Sequence, residues 1–180
     1  NTILIFMTDN GTSSGAKFNG LDSEALSGFN AGMRGKKSSI FDGGHRVPFF
    51  IHWPKGGLTG GRNIDTLAAH IDVLPTLADL CGIEMPDGYK PDGLSLKPLL
   101  DGASEPWPRS YHVVQFHGAA GAHALPPQPF AHSVVLTERW RLVNHGKEFL
   151  YDLEADPAQR NDVAAQHPEV VEQLRRQYEP

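Results

Sequence analysis

The chain has 180 residues, 39% of them hydrophobic and 21% charged, a composition that folds and is not intrinsically disordered. A net charge of -5 and a pI near 6.0 exclude a surface built for nucleic acid, where Lys and Arg must cluster in excess. No apolar run approaches the length of a membrane span, and the single cysteine, Cys81, excludes an intramolecular disulfide or a multi-cysteine metal site.

Residues 2 to 8, centred on Ile3-Leu4-Ile5-Phe6-Met7, predict a fully buried strand, because the apolar residues run on without alternating. No initiator Met, basic segment or signal-peptide core precedes it, so the expected context is a piece of a longer protein. Asp9-Asn10-Gly11 closes the strand with turn chemistry. Residues 12 to 36 are rich in Gly, Ser and Asn without periodicity, which predicts a long surface loop able to cover a site. Val47 to Pro54 is a second short, β-prone strand.

Asp72 is placed to cap a helix from Val73 to Cys81, with Leu74, Leu77, Ala78 and Cys81 on its apolar face. Pro75 falls in the first turn, and Gly82 suits the stop. Cys81 is expected to pack there as a small apolar residue. Turn-and-pack elements follow at 92–96 and 99–102. The composition shifts near Ala103 to Pro108, which divides the chain into residues 1–105 and residues 106–180. Strands are predicted at 110–116, 132–137, 139–145 and 147–153, with a Gly/Ala/Pro loop from Gly118 to Pro129. A last helix opens at His167-Pro168 and aligns Val170, Val171, Leu174 and Tyr178. The expected fold class is α/β: part of a larger sheet domain, then a small α+β subdomain of antiparallel sheet plus terminal helix.

Two segments carry chemistry. Asp9-Asn10-Gly11 sits at the end of a buried strand, where open α/β sheets place ligands. A carboxylate beside a carboxamide supplies oxygen donors for a hard cation, although such a cation takes about six to eight; taken alone, Asx-Gly is an ordinary turn. Arg34 to Pro48 (Arg-Gly-Lys-Lys-Ser-Ser-Ile-Phe-Asp-Gly-Gly-His-Arg-Val-Pro) is the second. Lys36 or Lys37 can present a compact cation to an oxyanion, or either can be a solvated turn residue.

These residues resemble the C-terminal portion of the type I, formylglycine-dependent sulfatases of the alkaline-phosphatase-like superfamily. Ile3 to Gly11 is similar to that family's strand and metal-ligand turn, and Arg34 to Pro54 to its lysine loop and the strand ending in Trp53-Pro54. His70 to Leu77, Asp92 to Leu96, and Phe149 to Leu153 with Asp156-Pro157 resemble its downstream signatures. The resemblance implies that Asp9 and Asn10 are ligands of one divalent cation, Ca²⁺, and that Lys37 binds sulfate. Counting back from Asp42-Gly43-Gly44 selects Lys37 over Lys36, whose position is more often glycine-like in the family. His45 falls where it can line the substrate or brace its own loop. Arg34 and Arg46 read as structural, bonding loop carbonyls or carboxylates, and Asp42 and Asp72 as turn and cap residues. The loop 117–130, with His117 and His123, can line the pocket mouth, and its Gly/Ala/Pro composition equally suits a passive connection.

No Cys-x-Pro-x-Arg or Ser-x-Pro-x-Arg motif occurs; Cys81 precedes Gly82-Ile83-Glu84-Met85. The formylglycine nucleophile and the remaining metal ligands are therefore expected in a preceding part, and these residues alone are expected to be inactive. The resemblance implies a sulfate-ester substrate and an exported protein. An incomplete sheet also invites self-association. The alternatives are a phosphatase, phosphodiesterase or phosphonate hydrolase of the same superfamily, and a non-catalytic piece that binds ions weakly.

Overall fold

The computed structural model describes residues 1–12, 30–103, 106–116 and 129–178. In chain order these form β1 (Leu4–Met7), α1 (Asp42–His45), β2 (Phe49–His52), α2 (Val73–Cys81), α3 (Lys97–Asp101), β3 (His112–Gln115), β4 (Ser133–Leu136), β5 (Trp140–Asn144), β6 (Glu148–Asp152) and α4 (Pro168–Tyr178). β1 pairs with β2 in a two-stranded sheet, and the other strands form a four-stranded sheet in the order β3-β4-β5-β6. The chain folds as two compact units: Asn1–Leu4 with Ile51–His112, and Ile5–Phe50 with Val113–Pro180.

The first unit is organised around a buried carboxylate. Asp72 is fully buried and accepts both arms of the Arg109 guanidinium. It also accepts the backbone N–H groups of Leu94 at 2.8 Å and Ala69 at 2.7 Å. Burial pushes its carboxyl up, but the Arg109 bonds and the two N–H groups outweigh that and hold it below its usual range. One residue thereby ties together the entry to α2, the turn before α3 and the segment around Trp107, whose indole N–H reaches the Leu67 carbonyl.

The second unit is a sheet covered on both faces. β4, β5 and β6 run antiparallel, with Val135 opposite Leu142 and Leu142 opposite Leu150. This row meets Val171 and Leu174 of α4 in the main core, with Val170 and Tyr178 beside them. The spacing of Val171 and Leu174 puts both on one helix face, and each buried side chain contributes about 1.5–3 kcal/mol. Strand side chains alternate between faces, so Leu136, Arg141 and Tyr151 form a row on the opposite side. There Phe41 packs edge-on to the Tyr151 ring at 6.1 Å, and Ile40, Phe41 and Asp42 are all buried.

The fold class is the expected one: mixed α/β, with an antiparallel sheet and a terminal helix. Three local expectations are corrected. β1 is not fully buried; Leu4 is 63% exposed, Phe6 59%, and Phe50 on β2 64%. A continuous apolar run signals two covered faces, whereas among the described residues only one face of the β1–β2 ribbon is covered, so burial alternates. Helix α2 buries Pro75, Thr76 and Ala78, while Leu74 and Cys81 are exposed. The inward side is tied by a polar contact: the Thr76 hydroxyl donates to the Asp72 carbonyl one turn back and accepts the Leu96 N–H from the segment before α3. Asp42, read as a turn residue, opens a single helical turn, Asp42–His45. Most of the loop predicted over 12–36 (residues 13–29) and most of the loop carrying His117 and His123 (residues 117–128) lie outside the described residues.

Candidate active-site seam

The Asp9-Asn10 turn and the lysine loop lie 24 or more residues apart in sequence, yet their backbones are stitched together. The Gly11 N–H donates to the Gly44 carbonyl at 2.9 Å, and the Lys37 N–H donates to the Thr12 carbonyl at 3.0 Å. The approach is so close that a Cβ on Gly11 would stand 1.8 Å from the Gly43 carbonyl oxygen, and one on Gly44 2.1 Å from that of Ser39. Glycine is required at both positions because only bare backbone fits.

Lys37 stands at the corner of a tight turn. Ser39 N–H donates to the Lys36 carbonyl at 2.9 Å, making Lys37 and Ser38 the central pair. Ser38 carries a φ of +70°, the positive value that the third residue of a type II turn requires. Lys37 is exposed and Lys36 half-buried. The Gly43 N–H closes the loop's base on the Arg34 carbonyl at 2.7 Å.

Asp9 is exposed at the end of β1, and Asn10 donates its Nδ2 to the Gly11 carbonyl at 2.9 Å. That bond uses the amide's nitrogen and leaves its oxygen as a donor atom on the residue next to the Asp9 carboxylate. Their chemistry fits a hard cation. Among the described residues no cluster of three or more His, Cys, Asp or Glu could hold a metal by itself.

His45 ends α1 with its Nε2 at 3.1 Å from the Ile40 carbonyl. A carbonyl only accepts, so Nε2 carries the proton and Nδ1 the lone pair. Burial pulls its pKa down, opposed by Asp42 and by the bond to Ile40, which keeps the ring neutral at pH 7. Arg46 reaches Asp42 at 3.7 Å, and Arg34 donates to the Gln159 carbonyl and the Tyr151 hydroxyl, the structural partnerships their positions suggest. Burial raises the Tyr151 pKa, partly offset by Arg34, so that hydroxyl stays protonated. Sequence reasoning missed Arg141 and Gln159; the available signal was a lone Arg within the apolar strand Trp140-Arg141-Leu142-Val143.

Residues 34–179 match the family model described as N-sulphoglucosamine sulphohydrolase, C-terminal. The chain belongs to this sulfatase family. An N-acetylgalactosamine-6-O-sulfatase of Bacteroides thetaiotaomicron is 33% identical to this sulfatase sequence over 182 residues, covering 97% of the chain and 35% of that protein. A solved structure from the same organism, described under the metabolism of multiple glycosaminoglycans, superposes with a TM-score of 0.71 at 26% identity, covering 98% of the chain and 38% of its own. A phosphonate monoester hydrolase of Agrobacterium radiobacter superposes with a TM-score of 0.63 at 28% identity, covering 98% of the chain and 35% of its own. The sulfatase chain thus spans between a third and two fifths of the length of these relatives. Among the described residues no helix is long and apolar enough to cross a membrane.

Proposed function

We propose that these residues form the C-terminal part of an enzyme hydrolysing sulfate esters, contributing Asp9 and Asn10 to one divalent cation, Ca²⁺, and Lys37 to the sulfate. The observation that supports this reading is the glycine-lined seam, in which Gly11 and Thr12, next to Asp9-Asn10, bond through their backbones to Gly44 and Lys37 of the lysine loop. The nucleophile, a formylglycine in the family this chain resembles, would come from residues beyond these 180.

The exposed Lys37 ammonium would meet a sulfate oxygen and neutralise the charge that grows as the S–O bond to the alcohol breaks. One preorganised donor of this kind contributes about 2–4 kcal/mol. Asp9 and Asn10 would hold the cation, which when bound supplies Lewis-acid stabilisation of the sulfuryl oxygens. His45, neutral and tied to Ile40 through Nε2, can offer only an acceptor at Nδ1 to a substrate hydroxyl.

In the full-length protein, Lys37→Ala should lower kcat/KM for an aryl sulfate by roughly a hundredfold or more. Lys36→Ala should cost far less. The reverse order would show that the register counted from Asp42-Gly43-Gly44 is off by one. A second reading, phosphonate or phosphate ester hydrolysis, is favoured by the superposition on the Agrobacterium radiobacter phosphonate monoester hydrolase. Comparing kcat/KM for a phenyl sulfate and a phenyl phosphonate in the same preparation separates the two.

A further inference from the structure

Both ends of the lysine loop are anchored on side chains about a hundred residues further along the chain. At the far end, Asp42 is fully buried and meets Arg141 of β5, Nε on Oδ1 at 2.9 Å and Nη2 on Oδ2 at 3.4 Å. The remaining arm of Arg141 donates to the Trp140 carbonyl at 3.0 Å and to that of Thr137. The Asp42 N–H donates to the side-chain oxygen of Gln159 at 2.9 Å, and Gln159 is itself fully buried. At the near end, Arg34 lies over the Phe41 ring at 4.0 Å and donates to the Tyr151 hydroxyl at 3.0 Å and the Gln159 carbonyl at 3.1 Å. Gln159 therefore touches both ends.

For holding two segments together, a buried ion pair is a poor choice, since a well-packed apolar pair does as well or better. What the pair adds is direction. A carboxylate gripped by a guanidinium fork, with its own N–H also bonded, has one orientation available, whereas apolar contacts allow sliding. The loop between these anchors presents Lys37 at an exposed corner, with backbone bonds to Thr12 and across the Lys36–Ser39 turn.

We propose that Asp42 and Arg141, with Arg34 and Tyr151, are positioning residues that set where the Lys37 ammonium stands, so that the C-terminal sheet tunes the sulfate contact without touching substrate. This rests on the reading of Lys37 as the sulfate ligand.

The test is a double-mutant cycle in the full-length enzyme, with kcat/KM for an aryl sulfate measured per folded molecule. Asp42→Asn and Tyr151→Phe are each made in the parent and in a Lys37→Ala background. If they act through Lys37, each lowers kcat/KM about tenfold in the parent and by no more than about twofold once Lys37 is gone, a coupling readable by such a cycle. A merely structural role lowers the melting temperature but gives equal fold-losses in both backgrounds; that result overturns the positioning proposal and leaves the role of Lys37 standing. Should Lys37→Ala itself leave kcat/KM unchanged, the lysine reading fails and this proposal with it. Tyr151→Phe removes one hydroxyl from an intact ring, so it carries the cycle even if Asp42→Asn does not fold.

Discussion

Replacing Arg109 with Met tests whether the first unit depends on the Asp72 hub. The substitution keeps an unbranched stem and removes the fork, leaving the fully buried Asp72 carboxylate with the N–H groups of Leu94 and Ala69. Stranding a buried charge costs about 3–5 kcal/mol; because two N–H donors remain, the expected loss is near the lower end, about 3 kcal/mol. With a urea m-value of about 2 kcal/mol/M, the midpoint should fall by about 1.5 M. Tryptophan fluorescence reports it directly, since Trp107 hydrogen-bonds to Leu67 within the same unit. Acid gives a second signature. Asp72 titrates below its ordinary value of 3.8 in the folded state, so its contribution is complete above that pH and is lost as pH falls through the depressed folded value. In Arg109→Met the main force holding that pKa down is gone, and this acid-limb loss should flatten. A midpoint shift below about 0.3 M, with an unchanged acid limb, would refute the claim that the carboxylate is buried and held by Arg109.

Gly11→Ala should open the seam, because its Cβ would meet the Gly43 carbonyl oxygen at 1.8 Å; a loss of about 2 kcal/mol or more in denaturant titration is expected, and a neutral result would show that the two segments do not approach as described. The 180 residues alone should show no turnover of an aryl sulfate with or without Ca²⁺, and turnover that disappears in Lys37→Ala would refute this. The isolated chain should self-associate through the ribbon face carrying Leu4, Phe6 and Phe50. Light scattering over a dilution series checks this, with Phe50→Lys expected to reduce the assembly; a clean monomer at high concentration ends the idea.

Much of the second unit was legible in the sequence. The spacing of Val170, Val171, Leu174 and Tyr178 identified the helix face, and the strand pattern identified β4 to β6, because those elements answer to local periodicity. The other face of the same sheet was not legible. What covers it is the lysine loop, recruited by Arg141, Tyr151 and Gln159 across about a hundred residues, and no periodicity encodes a partner at that distance. Asp42 and Asp72 show the same limit. Both read as turn or cap acids, and both are buried carboxylates whose charge is met by a distant arginine. Asp9, Asn10 and Lys37 were singled out by resemblance, and the structure adds the backbone bonds from Gly11 and Thr12 to Gly44 and Lys37 that join their two segments. Leu74 and Cys81 misled because apolar spacing on α2 carries no trace of the Thr76 hydroxyl's bond to the Leu96 N–H on the other side.

The seam also has an engineering consequence. Because Gly11 to Gly44 and Lys37 to Thr12 bind as backbone to backbone, neither bond depends on the side chains at Thr12 or Lys37. The side chain presented at the lysine corner can therefore be exchanged while the anchorage of the turn stays as it is.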